Sequence, residues 1–320
     1  MFLKFFFPTA SVCLGAAFWA SLVEPNLIQV TSKTWKLPRK YSQLDGLRVV
    51  QISDLHCGEE VPRGFLKKVG SIVRGLHPDV VLFSGDFLRR GQIEDRDKLL
   101  GFLCSLESKL GAFCVFGNHD YSKYISGTAK GLIDIIAPDK SHAVHRALSS
   151  IWGCLRNRQQ PLKFSPETAH VPVHKELSSL LKETPFTLLH NESVFLPIGL
   201  NIVGLGDYFA QRCLPKEAFA NYKEDFPGFI LTHNPDSALL LQDYPGEWVF
   251  SGHTHGPQIF PPFIMKKFFQ RLSGLQNIEY CRGKHILPDS KILYVNRGLG
   301  GLKRIRFGSK PEILFLECKQ

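Results

Sequence analysis

Five short polar clusters carry the residues able to do chemistry here: Asp54-Leu55-His56, Gly85-Asp86, Gly117-Asn118-His119-Asp120, His233, and Gly252-His253-Thr254-His255. Each follows an apolar run, and chance does not readily place all five in that register. Asp, Asn and His without a thiolate form a mixed nitrogen and oxygen donor set suited to two divalent ions. One carboxylate from Asp86 can bridge a pair of ions, which in two-metal hydrolases lie roughly 3.5–4 Å apart. In the third cluster, the Asn118 carbonyl can complete a cation's shell. The His119 imidazole can donate a proton, and Asp120 beside it can hold that imidazole in its charged form.

These residues must be positioned by the runs that precede them. Leu47–Ser53, Asp79–Ser84 and Ala112–Phe116 read as buried strands, and Pro62–Arg74 and Lys98–Leu110 have helical apolar spacing. The result is a β-α-β-α-β series with polar residues at the carboxyl ends of its strands, where open α/β sheets place their sites. Alternation along an extended strand end puts Asp54 and His56 on one side. Short strands resume at Phe186–Leu189, Leu200–Leu205, Phe229–Leu231 and Trp248–Ser251, and closing strands are expected at Ile292–Val295, Ile305–Phe307 and Ile313–Leu316. Two stretches, about 121–185 and 257–288, mix basic with large apolar residues and break this rhythm. They suit insertions that cap the site with an amphipathic face.

The chain of 320 residues is long enough for one large α/β domain with insertions. Its net charge of +10 suits an anionic partner or a solvated basic surface, and charge alone does not choose. Eight cysteines are scattered without a C-x-x-C pair, the pattern of reduced thiols rather than of a disulfide framework. Phe5–Val23 is almost wholly apolar and uncharged, long enough to span a bilayer as a helix. Lys33, Lys36, Arg39 and Lys40 lie downstream of it against Lys4 upstream, which by the positive-inside rule favours a body on the cytoplasmic side of an inner membrane. The expected organisation is therefore an anchor at 1–24, a linker at 25–46 and a catalytic domain at 47–320.

Taken together, the five clusters resemble those of the calcineurin-like metallophosphoesterase superfamily over about residues 47 to 300. That resemblance implies a four-layer α/β/β/α sandwich of two mixed sheets with an inserted cap, here preceded by an N-terminal hydrophobic helix. It implies Asp54, His56, Asp86 and His255 on a first metal and Asp86, Asn118, His233 and His253 on a second. His119 would protonate the leaving oxygen and Asp120 would orient it. Every ligand position is filled. Manganese suits these donors, with magnesium, iron or zinc as alternatives. Arg89 and Arg90, just beyond Asp86, can clamp a second phosphate by bidentate contacts.

The superfamily motif does not name the substrate. The apolar N-terminus and the apolar-basic insertions suit an amphiphile with a diphosphate head and acyl tails, on a membrane surface with anionic lipid. The arrangement, including Asn296-Arg297-Gly298-Leu299-Gly300 after a late strand, is similar to the membrane-anchored subgroup that contains the UDP-2,3-diacylglucosamine pyrophosphatases of lipid A synthesis. This similarity implies a UDP-linked lipid cleaved to UMP and 2,3-diacylglucosamine 1-phosphate. A phosphodiesterase acting on another phospholipid or nucleotide is the alternative enzyme, and a binding scaffold is the alternative of another class. A nucleic-acid partner is not expected, because the anchor argues against it.

Overall fold

Val49 and Val50 point to opposite faces of one strand, and both are fully buried, so this strand has a core on either side. It is β2 (Arg48–Ile52) in the computed structural model, which describes residues 14–128, 131–136, 162–259, 273–301 and 303–320. β2 belongs to a six-stranded sheet with β1 (Gln29–Lys36), β3 (Val80–Phe83), β4 (Gly111–Cys114), β8 (Phe186–Leu188) and β15 (Glu312–Lys319), in the order β1-β15-β2-β3-β4-β8. β2, β3, β4 and β8 run parallel, whereas β15 runs antiparallel to β2 and parallel to β1. The β-α-β-α-β reading is correct: α1 (Arg63–Gly75) joins β2 to β3 and α2 (Arg96–Cys104) joins β3 to β4. α2 stops well short of Leu110. It is capped at its start by Asp95, whose side chain accepts the Lys98 N–H at 2.9 Å.

A second six-stranded sheet holds β9 (Glu192–Leu196), β10 (Leu200–Gly204), β11 (Gly228–Leu231), β12 (Trp248–Ser251), β13 (Gly283–Ile286) and β14 (Ile292–Val295), in the order β13-β14-β12-β11-β10-β9. Its central strands are parallel and its edges antiparallel. The two sheets face one another across a shared core of Val49, Leu82, Phe113, Ile202, Phe229 and Phe250. On the outer face of the first sheet, Phe65, Leu66, Val69 and Val73 of α1 pack with Phe102 and Leu103 of α2. They are joined there by Leu177, Leu180 and Leu181 of α3 (Lys175–Leu181). A third cluster, including Val203, Ile230, Val249 and Leu241, covers the outer face of the second sheet. The fold is thus mixed α/β with two large mixed sheets. In the stretch 121–185 a small third sheet forms from β5 (Ile125–Gly127), β6 (Leu132–Ile135) and β7 (Lys163–Phe164).

Two expectations need correction. Residues 25–46 are not a mere linker: β1 pairs along its whole length with β15, and Trp35, Tyr41 and Leu44 enter the inter-sheet core. Ile305–Phe307 is not a strand; Phe307 makes only an isolated bridge to Ile259, because the Arg306 guanidinium turns inward to backbone carbonyls. At the N-terminus, residues 14–18 are α-helical, Trp19–Val23 continue as a π-helical turn and Glu24–Asn26 as a 3-10 turn. Among the described residues no helix is long and apolar enough to cross a membrane. The first part of the expected anchor, up to residue 13, lies outside the described residues, as do residues 137–161 and 260–272 of the two expected insertions. Cys57, Cys104, Cys114, Cys213 and Cys318 are free thiols.

Candidate metal centre

Every cluster sits where a parallel strand of one of the two large sheets ends, so the two sheets deliver their polar residues to one common rim. The convergence has a cause that strand alternation does not supply. β2 ends at Ile52, and Asp54 and His56 then adopt φ of 51° and 46°. Asp86, His253 and His255 likewise have φ of 61°, 70° and 54°. Such left-handed conformations are uncommon for residues bearing a Cβ and are held only where surrounding structure over-determines them. Five of the seven expected ligands are therefore aimed by backbone kinks, not by an extended strand end.

Close approach of the loops also demands glycine at two positions. A Cβ on Gly252 would collide with Ser53 Oγ and Asp54 Oδ2. One on Gly117 would collide with Asp86 Oδ1. Neither has room for a side chain.

The seven expected ligands come together. Asp54, His56 and His255 offer ligand atoms within 4.8 Å of one another, as do Asp54, Asp86 and His233. His56 Nε2 lies 3.4 Å from Asp86 Oδ2, and His233 Nε2 lies 3.1 Å from the same oxygen. His253 turns Nδ1 toward Asn118 Oδ1 at 3.0 Å and toward His233 Nε2 at 3.3 Å. Asp86 thus stands between an Asp54/His56/His255 group and an Asn118/His233/His253 group.

Outer contacts fix which atom each ligand presents. His56 Nδ1–H donates to Leu88 O at 3.0 Å and His233 Nδ1–H to Ser84 O at 2.7 Å, leaving Nε2 inward in both. His253 does the reverse, donating from Nε2 to Ser273 O at 3.0 Å. The Asn118 amide nitrogen donates to Ile125 O at 2.6 Å, which turns its oxygen to the cluster. None of these carbonyls leaves a trace in side-chain identity, so the sequence could not reveal them.

The donor set fits divalent cations. His56 Nε2 and His255 Nε2 face each other at 3.1 Å, two lone-pair positions that need a proton or a cation between them. Burial pushes His253 down to about 4 and, with His56 nearby, holds His255 well below the ordinary imidazole range, so both are neutral and able to ligate. Burial also opposes charge on Asp86, but the imidazoles of His233, His119 and His56 override it and hold the carboxyl well below its usual range. His233 is buried too, yet Asp86 beside it pushes its imidazole up to about 10. A cation arriving here would displace that proton.

His119 is held differently. Its Nδ1 accepts the Arg90 backbone N–H at 3.0 Å, so the neutral imidazole carries its proton on Nε2, 4.0 Å from Asp86 Oδ2. Tyr124 packs on its ring at 4.2 Å between centroids. Asp120 does not orient it. Its carboxylate accepts the N–H groups of Asp86 (2.7 Å), Gly117 (2.9 Å) and Leu88 (2.9 Å), and so ties the second cluster to the third. The two arginines also part company. Arg89 is engaged with Glu60 at 3.2 Å and Glu94 at 3.7 Å, which spends its charge away from a substrate. Arg90 has no carboxylate partner among the described residues, and its Nε is buried without a hydrogen-bond acceptor.

Residues 47–257 match the family model of the calcineurin-like phosphoesterases, a span that contains all seven expected donors and His119. The chain belongs to the calcineurin-like phosphoesterase family. Within that family it is 48% identical over 303 residues to the UDP-2,3-diacylglucosamine pyrophosphatase LpxG of Chlamydia muridarum, covering 94% of this chain and 92% of the other. The LpxG of Chlamydia trachomatis is 47% identical over the same shares of the two chains. A more distant relative, the uncharacterized metallophosphoesterase YkuE of Bacillus subtilis, is 28% identical over 95% of this chain and 90% of its own. The phosphoesterase centre is thus a divalent-metal hydrolase site built from Asp, Asn and His.

Proposed function

We propose that this phosphoesterase hydrolyses the diphosphate of UDP-2,3-diacylglucosamine, giving UMP and 2,3-diacylglucosamine 1-phosphate. The observation that carries the proposal is identity of 48% to a pyrophosphatase of that name across nearly the full length of both chains. The complete donor set supports it from the chemical side, since a diphosphate repels nucleophiles through its own anionic oxygens. Two divalent ions, with manganese our first choice, would neutralise those oxygens and lower the pKa of the attacking water. Asp54, His56, Asp86 and His255 would hold one ion, and Asp86, Asn118, His233 and His253 the other.

The chain's own residues then divide the remaining work. His119 presents Nε2–H beside Asp86 as a hydrogen-bond donor to the oxygen that leaves phosphorus, as one water adds, one P–O bond breaks and a proton of that water passes to the leaving oxygen. Arg90, whose side chain meets no carboxylate among the described residues, contacts the second phosphate. The apolar segment from residue 5 to 23 attaches the enzyme to the inner membrane as a hydrophobic helix, with the catalytic body on the cytoplasmic side and the insertions toward the acyl chains and anionic lipid.

The test uses full-length protein in detergent, stripped of metal and reloaded with manganese. Supplied with UDP-2,3-diacylglucosamine, it is expected to release UMP and the lipid monophosphate. Metal-free protein and His119→Ala should not. Turnover of a simple aryl phosphodiester without UMP release would discard this substrate while keeping the hydrolytic centre.

A further inference from the structure

His255 is the one expected histidine ligand whose outer nitrogen is not anchored. His56, His233 and His253 each donate to a backbone carbonyl, whereas His255 Nδ1 is buried without a partner among the described residues. With φ of 54° and Gly256 at 58° behind it, this ligand depends on its main chain for position. The main chain is held by Ser309, whose Oγ lies 3.0 Å from His255 O and 2.7 Å from Gly256 O and donates to this pair. Ser309 is in turn held from the far end of the sequence. Its backbone N–H donates to Glu24 Oε1 at 2.7 Å, and the other oxygen of Glu24 accepts the Trp19 Nε1–H at 2.9 Å.

Glu24 is a carboxylate only 3% exposed in a segment otherwise rich in apolar residues. Burying it is costly unless its oxygens are hydrogen-bonded. Two further contacts dock the same segment on the same loop: Arg306 N–H donates to Ala20 O at 2.8 Å, and Arg304 Nη2 donates to Pro25 O at 2.9 Å. We infer that Glu24 is a positioning residue for the His255 ligand, acting through Ser309, so that the N-terminal segment is a structural part of the metal centre. The inference rests on the reading of His255 as a metal ligand and adds to it the residue that holds that ligand in place.

The test measures cation binding rather than turnover. Full-length protein, E24A, E24Q and H255A are stripped of metal and titrated with cobalt, with binding followed by equilibrium dialysis and visible absorption. Loss of an outer contact to a metal ligand costs about tenfold or more in affinity. E24A is expected to bind one of its two ions about tenfold more weakly, with an altered cobalt spectrum. E24Q, whose amide oxygen can still accept the Ser309 N–H, should be restored close to wild type. Wild-type affinity and spectrum in E24A would overturn the inference, as would equal weakening of both ions together with a lowered melting temperature of the metal-free chain. H255A separates the two readings: if it binds both ions as wild type does, the ligand assignment itself is wrong.

Discussion

Arg90 donates its backbone N–H to His119 Nδ1 at 3.0 Å, and that single bond decides which nitrogen of the imidazole faces the metal centre with a proton. The loop bearing Arg90 is folded for this contact, with φ of 56° at Arg90 and a return bond from Gly91 N–H to His119 O at 2.9 Å. The nitrogen that donates a hydrogen bond is therefore set by main chain, not by a neighbouring carboxylate.

His119→Ala should lower kcat by about 10²–10³-fold, the usual worth of a hydrogen-bond donor aimed at charge that develops in the transition state. Manganese affinity should stay near wild type. Substrates with a good aryl leaving group develop a leaving oxygen that needs less stabilisation, so their loss should be smaller. Steady-state kinetics on both substrate types checks the split.

Asp120→Asn leaves at least one of three buried backbone N–H groups without its acceptor. It should cost about 1–3 kcal/mol of stability, the penalty for an unsatisfied buried group. Urea unfolding of the metal-free protein measures it. Because Asp120 does not touch the His119 imidazole, the pH profile of kcat should keep its wild-type shape.

Removing the metals should destabilise the fold as well as silence it. At a free ion concentration of 100 times Kd, one bound ion contributes about 2.7 kcal/mol. Chelated protein should melt at a lower temperature and recover on adding manganese, which differential scanning calorimetry would show.

Gly252→Ala should abolish metal binding while an alanine at Gly283, where a Cβ meets nothing within 4 Å, should leave it intact. The added methyl at 252 would collide with Asp54 and Ser53, both at the base of the site. Gly283 has φ of 80°, so its variant serves as a strain control for melting temperature. Metal titration of the two variants gives the comparison.

Asp236 accepts the N–H groups of Gln276 at 2.6 Å and Asn277 at 3.3 Å, where the chain returns from the second insertion. Burial pushes its carboxyl up to about 6, against its ordinary 3.8. A raised folded value favours the protonated acid, so the stability it contributes is fully present below 3.8 and is lost as pH rises through about 6. Asp236→Asn should flatten the fall in stability between about pH 4 and pH 7, measured by denaturant unfolding at several pH values.

The strands and their polar ends were legible because Val49, Val80 and Val81 lie in short apolar runs that stop at Asp54 or Asp86. The convergence of the seven expected donors was legible for the same reason, since residue type and order carry it. What was not legible rests on conformation and on distant partners. Nothing at Asp54 or His56 announces a positive φ. Asp120 beside His119 reads as its partner, yet backbone N–H groups compete for its oxygens and win. Arg89 and Arg90 are identical in type, and only the positions of Glu60 and Glu94 tell them apart. Residues 25–46 read as a linker because the strand that completes β1 is β15, at the opposite end of the chain.

That pairing has a bearing on how the protein is made. β15 lies between β1 and β2, with Gln29 beside Glu312 in one register and Gln51 beside Leu314 in the other. During synthesis β1 leaves the ribosome long before β15 and must wait, its edge unsatisfied, until Glu312–Lys319 has emerged. The first sheet therefore closes only after both strands are free of the ribosome, and a chain cut before Glu312 would leave β1 with nothing to join.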